Sequence, residues 1–97
     1  MERPVFDIST FVDVLTPEMA TAKLTERFVK RRKEKGLSRR RIADISGVSY
    51  ASVRRFEETG EISLHSLLKL AQALGCVGDF DELFSHPILT DLNDLKV

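Results

Sequence analysis

Cysteine is almost absent from this chain, tryptophan is missing, and long apolar runs do not occur. The single cysteine, Cys76, allows no internal disulfide and no zinc site built from cysteines. No apolar run approaches the ~18 residues that a membrane-spanning helix needs. Residues 1–10 have no apolar core behind a basic start, which predicts that no export signal is present. We therefore expect a cytoplasmic protein that does not enter a membrane.

Groups that could carry catalysis or bind a metal are equally scarce. With 97 residues, the chain can form one small core but not a core plus a deep enclosed active site. The two histidines are His65 and His86, and His65 falls in the first turn of an apolar segment, where a surface or packing role is expected. No glycine-rich phosphate loop and no paired spacing of metal ligands is present. We therefore expect no catalytic residue, no metal and no cofactor.

Charge is balanced over the whole chain but is distributed unevenly. The chain has 15 basic and 15 acidic residues, for a formal net charge of zero. Twelve of the basic and only three of the acidic residues lie between Lys23 and Arg55, so this window carries +9 and the rest of the chain −9. Such an asymmetry within one domain predicts a surface that binds a polyanion. The simpler alternative is a solvated charged face, above all for residues 30–35.

Helix caps and glycines divide the chain into five short helices. Hydroxyl side chains stand where four of them begin, and glycines stand where the first four end. Residues 1–15 carry mostly β-branched or aromatic apolar side chains and predict a short extended arm. The predicted fold class is therefore all-α, with an arm (1–15), a helical domain (16–85) and an acidic C-terminal tail (86–97). The predicted helices span residues 17–35, 39–46, 50–58, 64–74 and 79–84.

Apolar spacing predicts which sides of these helices are buried. Gly47 stands where a tight turn between the second and third helices needs a positive φ, and Val48 can fill that turn from the core side. The expected core residues of the first three helices are Ala20, Leu24 and Phe28, then Ile42, Ala43 and Ile45, then Val53 and Phe56.

The stretch GLSRRRIADISGVSYASVRRFE, residues 36–57, combines a capping serine, an apolar-alanine pair, a Gly-Val-Ser turn and a second helix that ends in Arg-Phe-Glu. This pattern resembles, without a gap, the helix-turn-helix of the phage-repressor-like (Xre/Cro-type) DNA-binding domains. The similarity extends over about residues 20–84 and implies a five-helix, lambda-repressor-like fold. In such domains, one helix crosses the DNA backbone and the next enters the major groove, where base edges are distinguishable.

The resemblance assigns a role to each matched polar position. Arg39 stands where relatives often carry a glutamine that contacts a phosphate, and Arg55 could bind guanine O6 and N7 in a bidentate manner. Four residues are expected to read base edges: Tyr50, Ala51, Ser52 and Arg55. Five are expected to bind phosphates: Arg39, Arg40, Arg41, Ser49 and Arg54.

Two alternatives compete with these roles. Tyr50 could instead cover a neighbouring helix, and Arg54 and Arg55 could instead pair with Glu57, Glu58 or Glu61. The loop EETGEIS, residues 57–63, also departs from many relatives, which carry a basic residue that grips the DNA backbone there. Three glutamates in that loop predict that it faces away from phosphate or that binding is weaker, with Arg39, Arg40 and Arg41 able to compensate.

The expected function is a sequence-specific double-stranded-DNA-binding regulator of transcription, acting as a repressor and as a homodimer. The apolar residues of the N-terminal arm, or Phe80, Leu83 and Phe84 together with Ile88 and Leu89, could form the dimer contact; both groups could instead cover the core of their own subunit. The alternative function is that of an antitoxin, since small proteins of this type bind a toxin protein and repress their own operon. An acidic tail would suit a basic partner of that kind.

Overall fold

A computed structural model of the chain describes residues 15–87 and is all-helical over that range. The extended arm predicted for residues 1–15 lies outside the described residues except for Leu15, and so do residues 88–97 of the tail. The five-helix, all-α prediction is confirmed for the described part. Its elements are α1 (Pro17–Glu34), α2 (Arg39–Ser46), α3 (Tyr50–Thr59), α4 (Leu64–Ala73) and a 3-10 helix (Val77–Glu82).

Each α-helix begins at the hydroxyl cap that the sequence predicts. An N-cap oxygen accepts a hydrogen bond from a backbone N–H of the first turn, which otherwise has no partner within the helix. The four acceptors and donors are Thr16 Oγ1 with the Met19 N–H at 3.1 Å, Ser38 Oγ with Arg41 at 3.0 Å, Ser49 Oγ with Ser52 at 3.1 Å, and Ser63 Oγ with Ser66 at 3.0 Å.

Two glycines set the path of the chain on either side of α3. Gly47 follows α2 with a φ of 79°, and Gly60 follows α3 with a φ of 81°. Both angles lie in the left-handed region, which a residue with a Cβ atom adopts only at a cost. A Cβ on Gly47 would meet nothing, whereas one on Gly60 would collide with Cγ2 of Thr21 in α1. Gly60 is therefore required by its conformation and by the close approach of α1.

The core lies where α1, α2, α3 and α4 meet. Ile42, Val53 and Leu70 are completely buried, and the Phe28 and Phe56 rings pack edge to face with their centres 5.2 Å apart. α2 packs on both α3 and α4, α1 packs on α3, and the 3-10 helix packs on α4. The buried apolar residues are Phe28, Ile42, Ala43, Val48, Val53, Phe56, Leu70, Ala71 and Leu74.

Two residues of the predicted core are exposed. Ile45 is 47% exposed, because the buried arc of α2 is centred between Ile42 and Ala43 and Ile45 lies roughly 110° around the axis from that centre. Ala20, in the first turn of α1, is also exposed, Leu24 is half-buried, and only Phe28 of this stripe is buried. The apolar spacing therefore identified most of the buried residues but assigned Ala20 and Ile45 to the core wrongly.

The last predicted helix is present but lies two residues earlier than expected. A short helix was expected over residues 79–84, whereas the structure has a 3-10 helix from Val77 to Glu82. Leu83 ends it with extended backbone, and Phe84 follows at a φ of 67°. The short segment closes tight i→i+3 bonds instead of α-helical ones, as in the 3.1 Å bond from the Asp79 N–H to the Cys76 carbonyl. Leu83 and Phe84 are consequently exposed, by 60% and 94%.

Candidate nucleic-acid interface

The interface is built on α3, which has one buried and one exposed face. Val53 and Phe56, three residues apart, are buried to 0% and 1% exposure and fix α3 on the core. Ala51, Arg54 and Arg55 point away from that face and are exposed. The side of α3 that carries most of the predicted DNA contacts is therefore not used for packing.

The turn before α3 places α2 directly beside it. Val48 is buried at 5% exposure and anchors the turn, and the Ser46 hydroxyl accepts a hydrogen bond from the Val48 N–H at 3.1 Å. Because Gly47 reverses the chain in the left-handed region, α3 starts within contact distance of α2. In DNA-binding proteins, two helices joined in this way place the second helix in the major groove of DNA while the first crosses the DNA backbone.

Three residues with polar side-chain groups lie at the start of α3: the N-cap Ser49, Tyr50 and Ser52. Ser49 Oγ accepts from the Ser52 N–H and donates to Ser52 Oγ at 2.9 Å, so the two hydroxyls are linked. Tyr50 is half-buried and packs against the edge of the core, with the Arg40 guanidinium 4.3 Å from its ring centre. This cation–π contact joins α2 to α3. Tyr50 thus covers part of a neighbouring helix, as its alternative role predicted, and its role toward DNA stays a prediction.

A buried carboxylate, which the sequence reading did not identify, organises the base of the interface. The Glu57 side chain is 3% exposed and accepts three hydrogen bonds from two arginines. Arg32 of α1, itself 8% exposed, donates Nε to Oε2 at 2.8 Å and Nη2 to Oε1 at 3.2 Å, and its Nη1 reaches the Leu37 carbonyl at 2.8 Å. The pair thereby ties α1 to α3 and to the loop before α2.

Arg39 is the second arginine on that carboxylate. Its Nε donates to Glu57 Oε1 at 2.8 Å, and its side chain remains 35% exposed. The hydrogen bond to Glu57 raises the pKa of Arg39 above its ordinary value. Tyr50, at the start of α3, also lies close enough to the Arg39 side chain to contribute to this shift. Arg39 is therefore held at the start of α2 by Glu57 while about a third of its side chain stays exposed.

The exposed arginines of α3 each pair with a glutamate, as their alternative role predicted. Arg54 Nε donates to Glu58 Oε2 at 3.0 Å, and this bond raises the pKa of Arg54. Arg55 donates its Nη2 to Glu61 Oε1, which lies beyond the end of the helix. In α2, Arg40 and Arg41 are exposed and form no ion pair with the residues described here. Of the five arginines predicted to contact DNA, three form ion pairs within the chain and Arg40 stacks on Tyr50.

The signal for the buried cluster was present in the sequence. The apolar stripe of α1, which recurs every four residues up to Phe28, reaches Arg32 at its next position. A charged residue at a core position needs a buried partner. Glu57, one residue after the buried Phe56, supplies it.

Neither a membrane-spanning helix nor a cluster of metal ligands is present among residues 15–87. No helix between residues 15 and 87 is long and apolar enough to cross a membrane. Over the same range, no three histidine, cysteine or carboxylate side chains come together as a potential metal site.

In a helix-turn-helix protein, a short turn joins two packed helices and leaves one face of the second helix exposed, as α2, the Gly47 turn and α3 do here. A family model described as "Helix-turn-helix" matches residues 29–78, which is half of the chain. The chain belongs to this helix-turn-helix family, of the Xre and lambda-repressor type. It is thus a DNA-binding regulator of transcription. No curated protein and no solved structure matches it.

Proposed function

We propose that the protein binds a specific double-stranded DNA sequence by inserting α3 into the major groove, and that it represses transcription there. The observation that carries this proposal is the division of α3 into two faces. Val53 and Phe56 are buried, while Ala51 and Arg55, one turn apart, are exposed on the opposite side. A helix of this width fits the major groove, where each base pair presents a distinct set of donors and acceptors.

Base reading falls to the exposed start and middle of α3. Arg55 offers a planar fork of donors that suits guanine O6 and N7, and the Ala51 methyl suits a thymine methyl. Ser52 can donate to a base or a phosphate, and Tyr50 stands at the leading turn beside it. Each good base contact is worth about 1–3 kcal/mol of discrimination.

Phosphate binding falls to α2 and to the cap of α3. Arg39 supports this role best, because Glu57 fixes its Nε while its side chain remains 35% exposed at the start of α2. Arg40 and Arg41 add exposed charge, Ser49 caps the helix whose amides can face a phosphate, and Arg54 lies on the flank of α3. Neutralising about eight phosphates per dimer implies a log–log salt slope of roughly −7.

A homodimer is part of the proposal, because one subunit has too few base contacts to be selective. Two subunits on a two-part operator double the number of contacts and explain a symmetric site. Phe84 supports a protein contact near the end of the domain, since it is 94% exposed and held at a φ of 67°. Sedimentation equilibrium of Phe84→Asp against the unchanged chain tests this contact: dissociation is expected, and an unchanged mass excludes Phe84 from the interface.

A role as an antitoxin is the second candidate function. The same exposed Leu83 and Phe84 would serve a toxin protein as well as a second copy of the chain. Purification from the native host separates the two cases. A co-purifying protein whose toxicity the chain suppresses supports the antitoxin, and a chain that purifies alone supports a repressor that acts by itself.

Selection of bound duplexes from a random pool tests the central proposal. We expect one motif with two-fold symmetry, whose half-sites lie about one helical turn, ~34 Å, apart. Enrichment of no motif, or binding that ignores sequence at all salt concentrations, would reject sequence-specific recognition by α3.

A further inference from the structure

Glutamates at the end of α3 occupy the same arginines that the proposed function assigns to DNA. Glu58 holds Arg54 and Glu61 holds Arg55, and all four side chains are at least half exposed. Glu57 differs from both, because it is buried and shared between two arginines. The loop that departs from the basic pattern of many relatives therefore acts directly on the DNA-facing surface.

The position of Glu61 is fixed by the turn that follows α3. The Thr59 hydroxyl donates to the Arg55 carbonyl at 2.8 Å and accepts from the Glu61 N–H at 3.1 Å. Gly60, in the left-handed region, turns the chain back toward the helix between these two bonds. The two Thr59 hydrogen bonds and the left-handed Gly60 therefore place Glu61 where its carboxylate can bind Arg55.

We propose that Glu58 and Glu61 form a competitor pair, two carboxylates that occupy Arg54 and Arg55 in the free protein and must be displaced when DNA binds. This inference rests on the proposed DNA binding by α3. A carboxylate offers a guanidinium two acceptor oxygens, as a phosphate does and as guanine does through O6 and N7. DNA entering the interface therefore competes with these two carboxylates for the Arg54 and Arg55 guanidinium groups.

Exposure is what makes this exchange possible. An exposed ion pair is worth little in water, so a phosphate or a base edge can replace its carboxylate at small cost. The buried Glu57 cannot be displaced in this way, because its removal would leave Arg32 charged without a partner inside the domain. The competitor pair weakens DNA binding modestly, and Glu57 holds the fold together.

The competitor pair also changes the salt dependence of binding. DNA releases roughly one condensed cation for each phosphate that the protein neutralises. Two carboxylates freed beside the phosphates would take up cations in turn and would repel the DNA. The salt slope of the unchanged protein is therefore shallower than its number of phosphate contacts implies.

The test compares Glu58→Gln, Glu61→Gln and the double variant with the unchanged full chain. The probe is a labelled 24-base-pair duplex of arbitrary sequence, titrated at ionic strengths from 50 to 200 mM. Each single substitution is expected to tighten binding about two- to fivefold at low salt, and the double variant more, with a steeper salt slope. Glu82→Gln, which removes the same charge from the 3-10 helix, is the matched control and is expected to leave binding nearly unchanged.

A double-mutant cycle separates competition from general repulsion. If Glu61 acts by occupying Arg55, then Glu61→Gln tightens binding less in a chain that also carries Arg55→Ala. Equal tightening in both backgrounds overturns the assignment of Glu61 to Arg55. Equal tightening by Glu82→Gln overturns the competitor pair altogether, because net charge alone would then explain the effect.

The remaining outcomes distinguish this inference from the proposed function. If the unchanged chain binds the duplex and the glutamine variants bind no more tightly, the competitor pair is rejected and DNA binding stands. If no variant binds the duplex even at 50 mM salt, both proposals fail together.

Discussion

The buried carboxylate of Glu57 gives the sharpest stability prediction. Replacing it with glutamine keeps the shape of the side chain but removes the charge that three arginine N–H groups share. Arg32, whose side chain is 8% exposed, then stays charged in the interior with only a neutral amide and the Leu37 carbonyl beside it. Removing one partner of a buried ion pair costs about 3–5 kcal/mol.

The neighbouring Glu58 provides a matched control. Its carboxylate binds Arg54 at 3.0 Å, close to the 2.8 Å of the Glu57–Arg32 pair, but its side chain is 50% exposed instead of 3%. Thermal unfolding followed by circular dichroism should therefore separate the two glutamine variants. At ~3 kcal/mol, Glu57→Gln lowers the midpoint by roughly 12–24 °C in a domain of this size. Glu58→Gln should leave the midpoint nearly unchanged.

Replacing both partners, as in Arg32→Met with Glu57→Leu, should restore much of the stability, because no unpaired charge remains inside. If Glu57→Gln instead melts together with Glu58→Gln, the carboxylate is not buried between the helices and the reasoning is refuted.

The remaining predictions concern the turns, the core and the interface. In urea unfolding, Gly47→Ala should lower the free energy of unfolding by only about 1–2 kcal/mol, through backbone strain alone. Gly60→Ala should lower it more, because the added methyl also collides with Thr21. Adding Thr21→Ser should recover part of that loss by removing the methyl group of Thr21. In the same assay, Leu70→Ala should lower the free energy of unfolding by about 2–5 kcal/mol, because Leu70 is fully buried. Ile45→Ala should lower it by less than ~0.5 kcal/mol, because Ile45 is 47% exposed. Equal losses would contradict the burial of Leu70 and the exposure of Ile45. Arg55→Ala should relax the preference at one base position of each half-site in a selection from random duplexes, and an equal loss on every sequence would limit Arg55 to backbone contacts. Arg39→Ala should weaken binding to all sequences alike and flatten the salt slope by about one unit per contacted site, measured where circular dichroism shows the variant folded.

Local signals in the sequence were sufficient to predict the helices. Ser38 and Ser49 as caps and Gly47 between them act within four residues, so their effect can be read without knowing the rest of the fold. α1, α2 and α3 accordingly begin where predicted, and each ends within one residue of its expected end. The last element lacks a side-chain cap, and the sequence misplaced it.

Contacts between distant parts of the chain were harder to predict. Arg32 and Glu57 are 25 residues apart, and each looked like a member of a charged surface run until α1 and α3 were brought together. Ile45 was wrongly predicted to be buried, because an apolar side chain is buried only if another helix covers its side of α2. Ion pairs of Arg54 and Arg55 with nearby glutamates were among the alternatives, because the spacing of four or six residues made them reachable.

The roles of Tyr50, Ala51, Ser52 and Arg55 as base readers stay predictions. Geometry agrees with them in one respect, since Ala51 and Arg55 share the exposed side of α3 while Val53 and Phe56 are buried. Tyr50 and Ser52 are half-buried.

Dimethyl sulfate footprinting on the selected duplex tests most directly whether α3 lies in the major groove. The reagent methylates guanine N7 in the major groove and adenine N3 in the minor groove. We expect the unchanged chain to protect at least one guanine N7 in each half-site, and we expect Arg55→Ala to remove this protection. Protection of adenine N3 alone, or no protected guanine in a duplex that is bound tightly, would contradict it.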